Sequence, residues 1–316
     1  MVLGALFSAL SPLGAEETGK KFKLGTLNPG TPVPRFTQAE MGALRDLGYT
    51  EGRNLQFIER WAGGSEAQLQ RDAVELVKLK VDVILAGSSA GARAAADATK
   101  TIPIVAIDLE SDPVANGWVA TIARPGGNVT GCFLDLPELA GKRLEQLREV
   151  VPHLSRVAIL WDSSLNRTPL TATKFSAKAL GLRTITLEVR RPSDLDHAFT
   201  AAVDQRAQAV LVWGSPMVDA NVPKIAELAA QRRLPIAGFF PFHSESGFLL
   251  SYGPDVEDMT RRCMAYTDRI YRGEKPGDLP VQLPDKFHLV LNLKTANTLG
   301  VRFPQALLLQ ADRIIK

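Results

Sequence analysis

Short apolar runs of strand length alternate with helix-patterned segments along most of the chain. "KLGTL" (23–27), "LQFIE" (55–59), "VDVILAG" (81–87) and "IPIVAI" (102–107) carry many β-branched residues. Between them lie stretches such as 66–79, where Leu69, Ala73, Leu76 and Val77 share one helical face. Strands alternating with amphipathic helices predict a parallel sheet with crossover helices.

The order then recurs. "RVAILWD", "TITLEV", "AVLVWGS" and "LPIAGF" follow with similar spacing. Leu47-Gly48 has a counterpart in Leu180-Gly181, Ile102-Pro103-Ile104 in Leu234-Pro235-Ile236, and "DVILAGS" from Asp82 in "AVLVWGS" from Ala209. The three pairs keep their order at a separation of about 130 positions, as an internal duplication would. Glycine after leucine suits a helix C-terminal cap. The fold class predicted is α/β: two similar doubly wound parallel-sheet lobes with a ligand cleft between them. Residues 22–131 with 251–280 are assigned to lobe 1, and 132–250 with 281–316 to lobe 2. Ala140, Leu144, Leu147 and Val151 predict a helix linking the halves, and Met259, Cys263, Tyr266 and Ile270 predict another in the tail.

In such sheets ligands sit beyond the C-terminal ends of the strands. Those ends carry Asn28-Pro29-Gly30-Thr31, Gly87-Ser88-Ser89 and Asp108 in one half, and Trp161-Asp162-Ser163, Trp213-Gly214-Ser215 and Phe239-Phe240 in the other. Gly87-Ser88-Ser89-Ala90-Gly91 matches G-x-S-x-G between a strand and an Ala-rich helix. That context suits a hydrolase nucleophile elbow, with Ser89 as nucleophile and His243 or His288 downstream. It equally suits an anion cradle of hydroxyls and N–H groups at a helix N-terminus. The duplicated halves and the lack of an HGGG-type loop upstream favour the cradle.

Composition narrows the classes. At 316 residues, 45% hydrophobic and 22% charged, the chain has globular proportions and room for two lobes. A net charge of +3 without a dense Lys/Arg block argues against nucleic-acid binding. The four histidines are scattered and form no metal motif, so neither metal nor cofactor is expected. Cys132 and Cys263 leave open a disulfide or two buried thiols. The first 15 residues are apolar and end at a charge step; residues 1–21 read as a signal-like segment and leader, although the usual basic start is missing. No cysteine near this end supports a lipid anchor.

"LRDLGYTEGRNLQFIERWAGG" (44–64), "DPVANGWVATIARPGGNVTG" (112–131), "AGKRLEQLREVVP" (140–152), "GFLLSYGPD" (247–255) and "NLKTANTLGVRFPQALLLQAD" (292–312) resemble the ABC-transporter substrate-binding proteins of the tryptophan/tyrosine-uptake type. The resemblance implies a type I periplasmic binding-protein fold with three crossovers, and a periplasmic, monomeric receptor without catalysis. It also implies a small carboxylate-bearing apolar ligand, foremost an aromatic amino acid, handed to an inner-membrane ABC permease. Ser88 and Ser89, with Asn28 and Thr31, would then hold the carboxylate. Asp108 and Asp135 are the candidates for the ammonium. Trp161, Trp213 and Phe240, with Tyr252, would stack on the body, and Asn166 would bond the ligand or cap a helix. A serine hydrolase at the Ser89 turn is the rival, and a regulator's ligand-sensing module shares the fold.

Overall fold

The computed structural model describes residues 19–109, 111–134, 137–164 and 167–316. The apolar N-terminal segment lies outside the described residues. β1 (Phe22–Asn28), α1 (Pro34–Asp46), β2 (Leu55–Trp61), α2 (Glu66–Lys78), β3 (Val83–Gly87), α3 (Ser88–Ala98), β4 (Ile104–Asp108) and β5 (Val129–Phe133) build lobe 1. Its five strands are all parallel, in the order β2-β1-β3-β4-β5.

α4 (Pro137–Val150) carries the chain to lobe 2. There follow β6 (Arg156–Asp162), α5 (Thr168–Ala179), β7 (Arg183–Val189), α6 (Leu195–Asp204), β8 (Ala209–Val212), α7 (Pro216–Ala220), α8 (Val222–Gln231), β9 (Ile236–Gly238), α9 (Pro241–Glu245) and β10 (Leu250–Pro254). α10 (Val256–Tyr271) returns to lobe 1. The chain then crosses back into β11 (Phe287–Asn292), α11 (Leu293–Leu299), α12 (Gln305–Gln310) and β12 (Arg313–Ile315). The second sheet has seven strands in the order β12-β11-β10-β9-β8-β6-β7, with β10 and β11 antiparallel. The expected α/β class, the two parallel-sheet lobes and the three crossovers are all present.

Local chemistry accounts for the elements. β3 and β4 are almost wholly buried, as parallel strands covered on both faces must be, and so lack alternation. α1 and α5 both end at leucine followed by a left-handed glycine, Gly48 (φ 90°) and Gly181 (φ 73°), so the duplicated Leu-Gly landmarks are helix caps.

The boundaries move from those read in the sequence. Residues 251–254 belong to β10 and the second sheet, because "LSYGP" pairs with both β9 and β11. Conversely, β5 runs to Phe133 in lobe 1, whose N–H donates to the Gln282 carbonyl at 2.9 Å, and the Val281 N–H donates to Ile122 at 2.8 Å. Residues 281 and 282 therefore stay with lobe 1.

One face of the lobe 1 sheet is covered by α10. Met259, Cys263, Met264 and Tyr266 pack with Leu24, Val83, Leu85, Val105 and Cys132. Cys132 and Cys263 are buried free thiols. Their Sγ atoms each lie 3.7 Å from a backbone carbonyl, of Met259 and Ala106 respectively. Burial pushes the Cys263 thiol up, away from the reactive thiolate. A maleimide reagent at neutral pH is expected to label neither cysteine in the native protein and both after denaturation. Rapid native labelling would mean that α10 lifts off the sheet.

Candidate functional site

The strand ends of the two lobes face each other across a cavity of about 130 Å³. The lobe 1 wall consists of Asn28 at the end of β1, Phe36 and Glu40 on α1, Trp61 at the end of β2, Gly87 and Ser88 at the β3–α3 turn, and Ile107 and Leu109 around the end of β4. The lobe 2 wall comprises Trp213 to Pro216, Asp219, Phe239 and Phe240, after β8 and β9. Val256 and Thr260 of α10 also line it.

The lobes touch around this cavity. Arg35 of α1 lies 3.8 Å from Glu245 of α9, and its guanidinium sits 4.1 Å from the centroid of the Phe242 ring. Phe36 meets the same ring edge-on at 6.3 Å. The arrangement is a closed one.

The β3–α3 turn decides between nucleophile and cradle. Gly87 and Gly91, the two glycines of the motif, are places of close backbone approach. A Cβ on Gly87 would fall 2.4 Å from Asn28 Oδ1, and one on Gly91 would fall 2.9 Å from the Leu27 carbonyl. The glycines thus seat α3 against the end of β1. The residue with unusual backbone is Ser88, at φ 62°, rather than the central Ser89. Ser88 lines the cavity, and its buried Oγ has no hydrogen-bond partner in the protein.

Among the described residues no histidine lines the cavity beside Ser88. His243 Nε2 is paired with Asp219 at 3.0 Å, and its Nδ1 accepts the Phe239 N–H at 3.0 Å. With Nδ1 accepting, the proton sits on Nε2 and points to Asp219. His288 Nε2 is paired with Asp255. The turn presents an unpartnered Ser88 hydroxyl to the cavity at the N-terminus of α3.

The aromatic wall is braced from behind. Trp213 Nε1 donates to Thr173 Oγ1 at 2.9 Å. Phe239 and Phe240 meet edge-on at 4.7 Å. The guanidinium of Arg143, on α4, lies 4.1 Å from the Trp213 centroid and 4.8 Å from that of Phe239. Arg143 is fully buried, and its hydrogen bonds go to the Leu139 and Val212 carbonyls, without a carboxylate. Burial alone pulls its pKa down to about 9. Its charge is faced by π-electrons, which holds the two rings in place.

Of the residues singled out in the sequence, Asn28, Ser88, Trp213 and Phe240 line the cavity. Ser89 is buried in the first turn of α3 and does not line it, because the turn aims Ser88 at the cleft. Thr31 is exposed and outside it. Asp108 is fully buried and accepts the Ser111 hydroxyl, ordering the loop after β4. Trp161 is 1% exposed and packs within lobe 2 beside Leu139, Ile159 and Leu170. Even-numbered positions of β6 point away from it, toward another cluster, so Trp161 reaches only the back of the aromatic wall. Tyr252 stacks on Phe287 instead. Asp135 and Asn166 lie outside the described residues.

Glu40, Phe36, Trp61, Asp219 and Arg143 were not singled out. The signals are faint: Phe36 and Glu40 are four apart on one helix, and Asp219 follows the Ser215-Pro216 helix start by one turn. No pattern in the chain shows that α1 leans over the strand ends.

The model of the family described as ABC transporter substrate binding protein matches residues 37–315, nearly all of the described chain. The chain belongs to that family. These are substrate receptors rather than enzymes, and the hydrolase reading of the serine turn is set aside on both grounds. A tyrosine-binding protein of Clostridioides difficile is 25% identical over 276 residues, covering 85% of this chain and 78% of the relative. A conserved domain protein of Vibrio cholerae superposes with a TM-score of 0.82 at 26% identity, over 94% of this chain and 99% of that one. A Streptococcus ABC domain in complex with L-Trp also gives 0.82, at 22% identity, over 94% and 100%. A ligand-free, open substrate-binding protein of Clostridium difficile gives 0.62 at 24% identity, over 94% and 99%. Among the described residues no helix is long and apolar enough to cross a membrane, and no group of His, Cys, Asp and Glu could hold a metal ion.

Proposed function

We propose that the cleft takes an aromatic L-amino acid as its zwitterion. The observation that carries this is the make-up of the cavity wall. It holds rings from both lobes, an unpaired hydroxyl at a helix N-terminus, two carboxyl groups, and among the described residues no Lys, Arg or His. A sugar site would spread hydrogen-bonding groups around a ring, and a plain carboxylate ligand would have to sit beside Glu40 and Asp219 without a cation. A zwitterion answers both ends: carboxylate toward Ser88 and the N–H groups of the first turn of α3, ammonium toward the acids, ring between Trp61, Trp213 and Phe240. A cavity of about 130 Å³ is close to the ~150 Å³ that accepts a benzene ring. Two relatives point the same way, one named for tyrosine and one holding L-Trp. In this reading the protein is an exported, monomeric receptor that closes on its ligand and presents the closed form to an ABC permease.

Titration calorimetry against L-tryptophan, L-tyrosine, L-phenylalanine and D-glucose tests the reading. Binding by one or more of the amino acids is expected. Ser88→Ala removes one hydrogen bond to a charged oxygen, worth about 1.5–3 kcal/mol, and is expected to weaken binding about ten- to a hundredfold. Silence from every amino acid, with binding of the sugar, would reject it.

A further inference from the structure

Glu40 is the one lining side chain whose charge has no answer in the protein. It stands on α1 with its carboxyl in the cleft, and no hydrogen bond or ion pair to it is formed by any described residue. Its neighbours make the matter worse. Glu59, on β2, is itself held as an acceptor by Thr37 Oγ1 at 2.7 Å and Trp61 Nε1 at 3.2 Å. Across the cleft is Asp219 of α7. α10 contributes only Thr260 to the cleft and the thiol of Cys263 behind it, neither of them cationic. Arg35, one turn back on α1, is turned away to Glu245 and Phe242. Asp219 differs in having the His243 N–H as a donor and the charge of Arg35 near enough to favour its carboxylate, so Glu40, beside Glu59, is left without a cation. Carboxyl groups that share an enclosed site without a cation cannot all ionise.

We propose, resting on the amino-acid reading of the cleft, that Glu40 holds a proton when the lobes meet around an empty cleft, as they do here, and gives it up to solvent when the ammonium group of the ligand arrives. The step balances as Glu40–COOH plus R–NH₃⁺ going to the Glu40–COO⁻···⁺H₃N–R pair plus one H⁺. No bond other than O–H is broken. Burial, and then the Glu59 charge, push the Glu40 carboxyl up to about 8, which puts the exchange in the neutral range. Glu40 is half-buried and lines the cleft. The unpaired Ser88 hydroxyl on the same wall marks the place for the opposite end of the ligand.

The sign of the pH dependence follows from linkage. Where binding releases a proton, affinity rises with pH, by at most about tenfold per unit, and levels off above the pKa of free Glu40 near 8. Stability of the free protein runs the other way. The native state holds a proton that the unfolded chain gives up near 4.5, so stability falls as pH rises from about 4.5 to about 8.

Calorimetry of L-tryptophan and L-tyrosine at pH 7, repeated in phosphate and in Tris, counts the protons exchanged on binding. About one proton released is expected from the wild type, and about none from Glu40→Gln, an isosteric change whose folding is checked by its melting temperature. Asp219→Asn, which keeps Glu40, is expected to release a proton still. 3-Indolepropionate, which lacks the ammonium, is expected to release none. Amino-acid binding by the wild type without proton release would overturn the proposal and leave the amino-acid reading standing. Release that persists in Glu40→Gln would also overturn it. No binding of either amino acid would overturn both.

Discussion

Gly30→Ala is expected to leave the fold intact and to cost the protein its ligand. Gly30 lies between β1 and α1, in lobe 1, and Pro216 begins α7, in lobe 2. A Cβ on Gly30 would fall 2.0 Å from the Pro216 Cβ. Carbon atoms rest at about 3.5–4.0 Å, and neither partner can swing aside, because one is a methyl and the other a ring. The Gly30 loop is also pinned, its carbonyl accepting the Gly63 N–H at 2.8 Å. The lobes must therefore part by more than an ångström at this point. The three atoms nearest the added methyl all belong to Pro216 of lobe 2, so the penalty falls on closure. Apparent affinity scales with the fraction able to close. A loss of at least about a hundredfold for L-tryptophan is expected, or roughly 2.7 kcal/mol, with an unchanged denaturant midpoint. Gly42→Ala, on the open face of α1 with nothing within 4 Å, is the matched control. Wild-type affinity in Gly30→Ala would mean that ligand binding does not require this contact.

Trp213→Ala is expected to destabilise lobe 2 by about 3–5 kcal/mol, the range for removing a buried large aromatic. The ring is 4% exposed and braces three groups at once: Thr173 through its Nε1, Arg143 over its face, and Phe239 beside it. Its loss strands the Arg143 cation in an apolar setting. Trp213→Phe keeps a ring for Arg143 and gives up mainly the bond to Thr173, and is expected to cost about 1 kcal/mol. Arg143→Met, which removes the uncompensated charge but keeps much of the volume, is expected to leave stability unchanged or raise it. Urea midpoints on the three variants order the effects. A Trp213→Ala midpoint equal to wild type would show that the wall needs no brace.

Architecture was legible in the chain because it depends on period and order. Strand-length apolar runs, the repeated Leu-Gly caps and the Pro turns after them are local signals, and each half repeats them. The cleft was legible only as far as it is made of strand ends. Asn28, Ser88, Trp213 and Phe240 sit where the C-terminal ends of parallel strands place them. Glu40 and Phe36 project from the side of a helix, and their approach to the cleft depends on how α1 packs on α10, a contact between residues some 220 apart. Ser88 and Ser89 are indistinguishable in the sequence; one backbone angle decides which hydroxyl faces the cavity. Asp108 also ends a strand, but it is not on the cavity wall and accepts the Ser111 hydroxyl.

The excursion of α10 has a consequence for the birth of the molecule. All five strands of lobe 1 have been made by Phe133, yet the helix that covers one face of their sheet is not complete until Tyr271, and the last backbone bonds to β5 come from Gln282. Between those points most of lobe 2 is synthesised. A nascent chain halted at Pro254 would carry a finished sheet with Leu24, Val83, Leu85 and Val105 covered on one side only by α1 and not by α10. Such a chain is a natural client for a holding chaperone, and its hold should end when about thirty more residues have emerged.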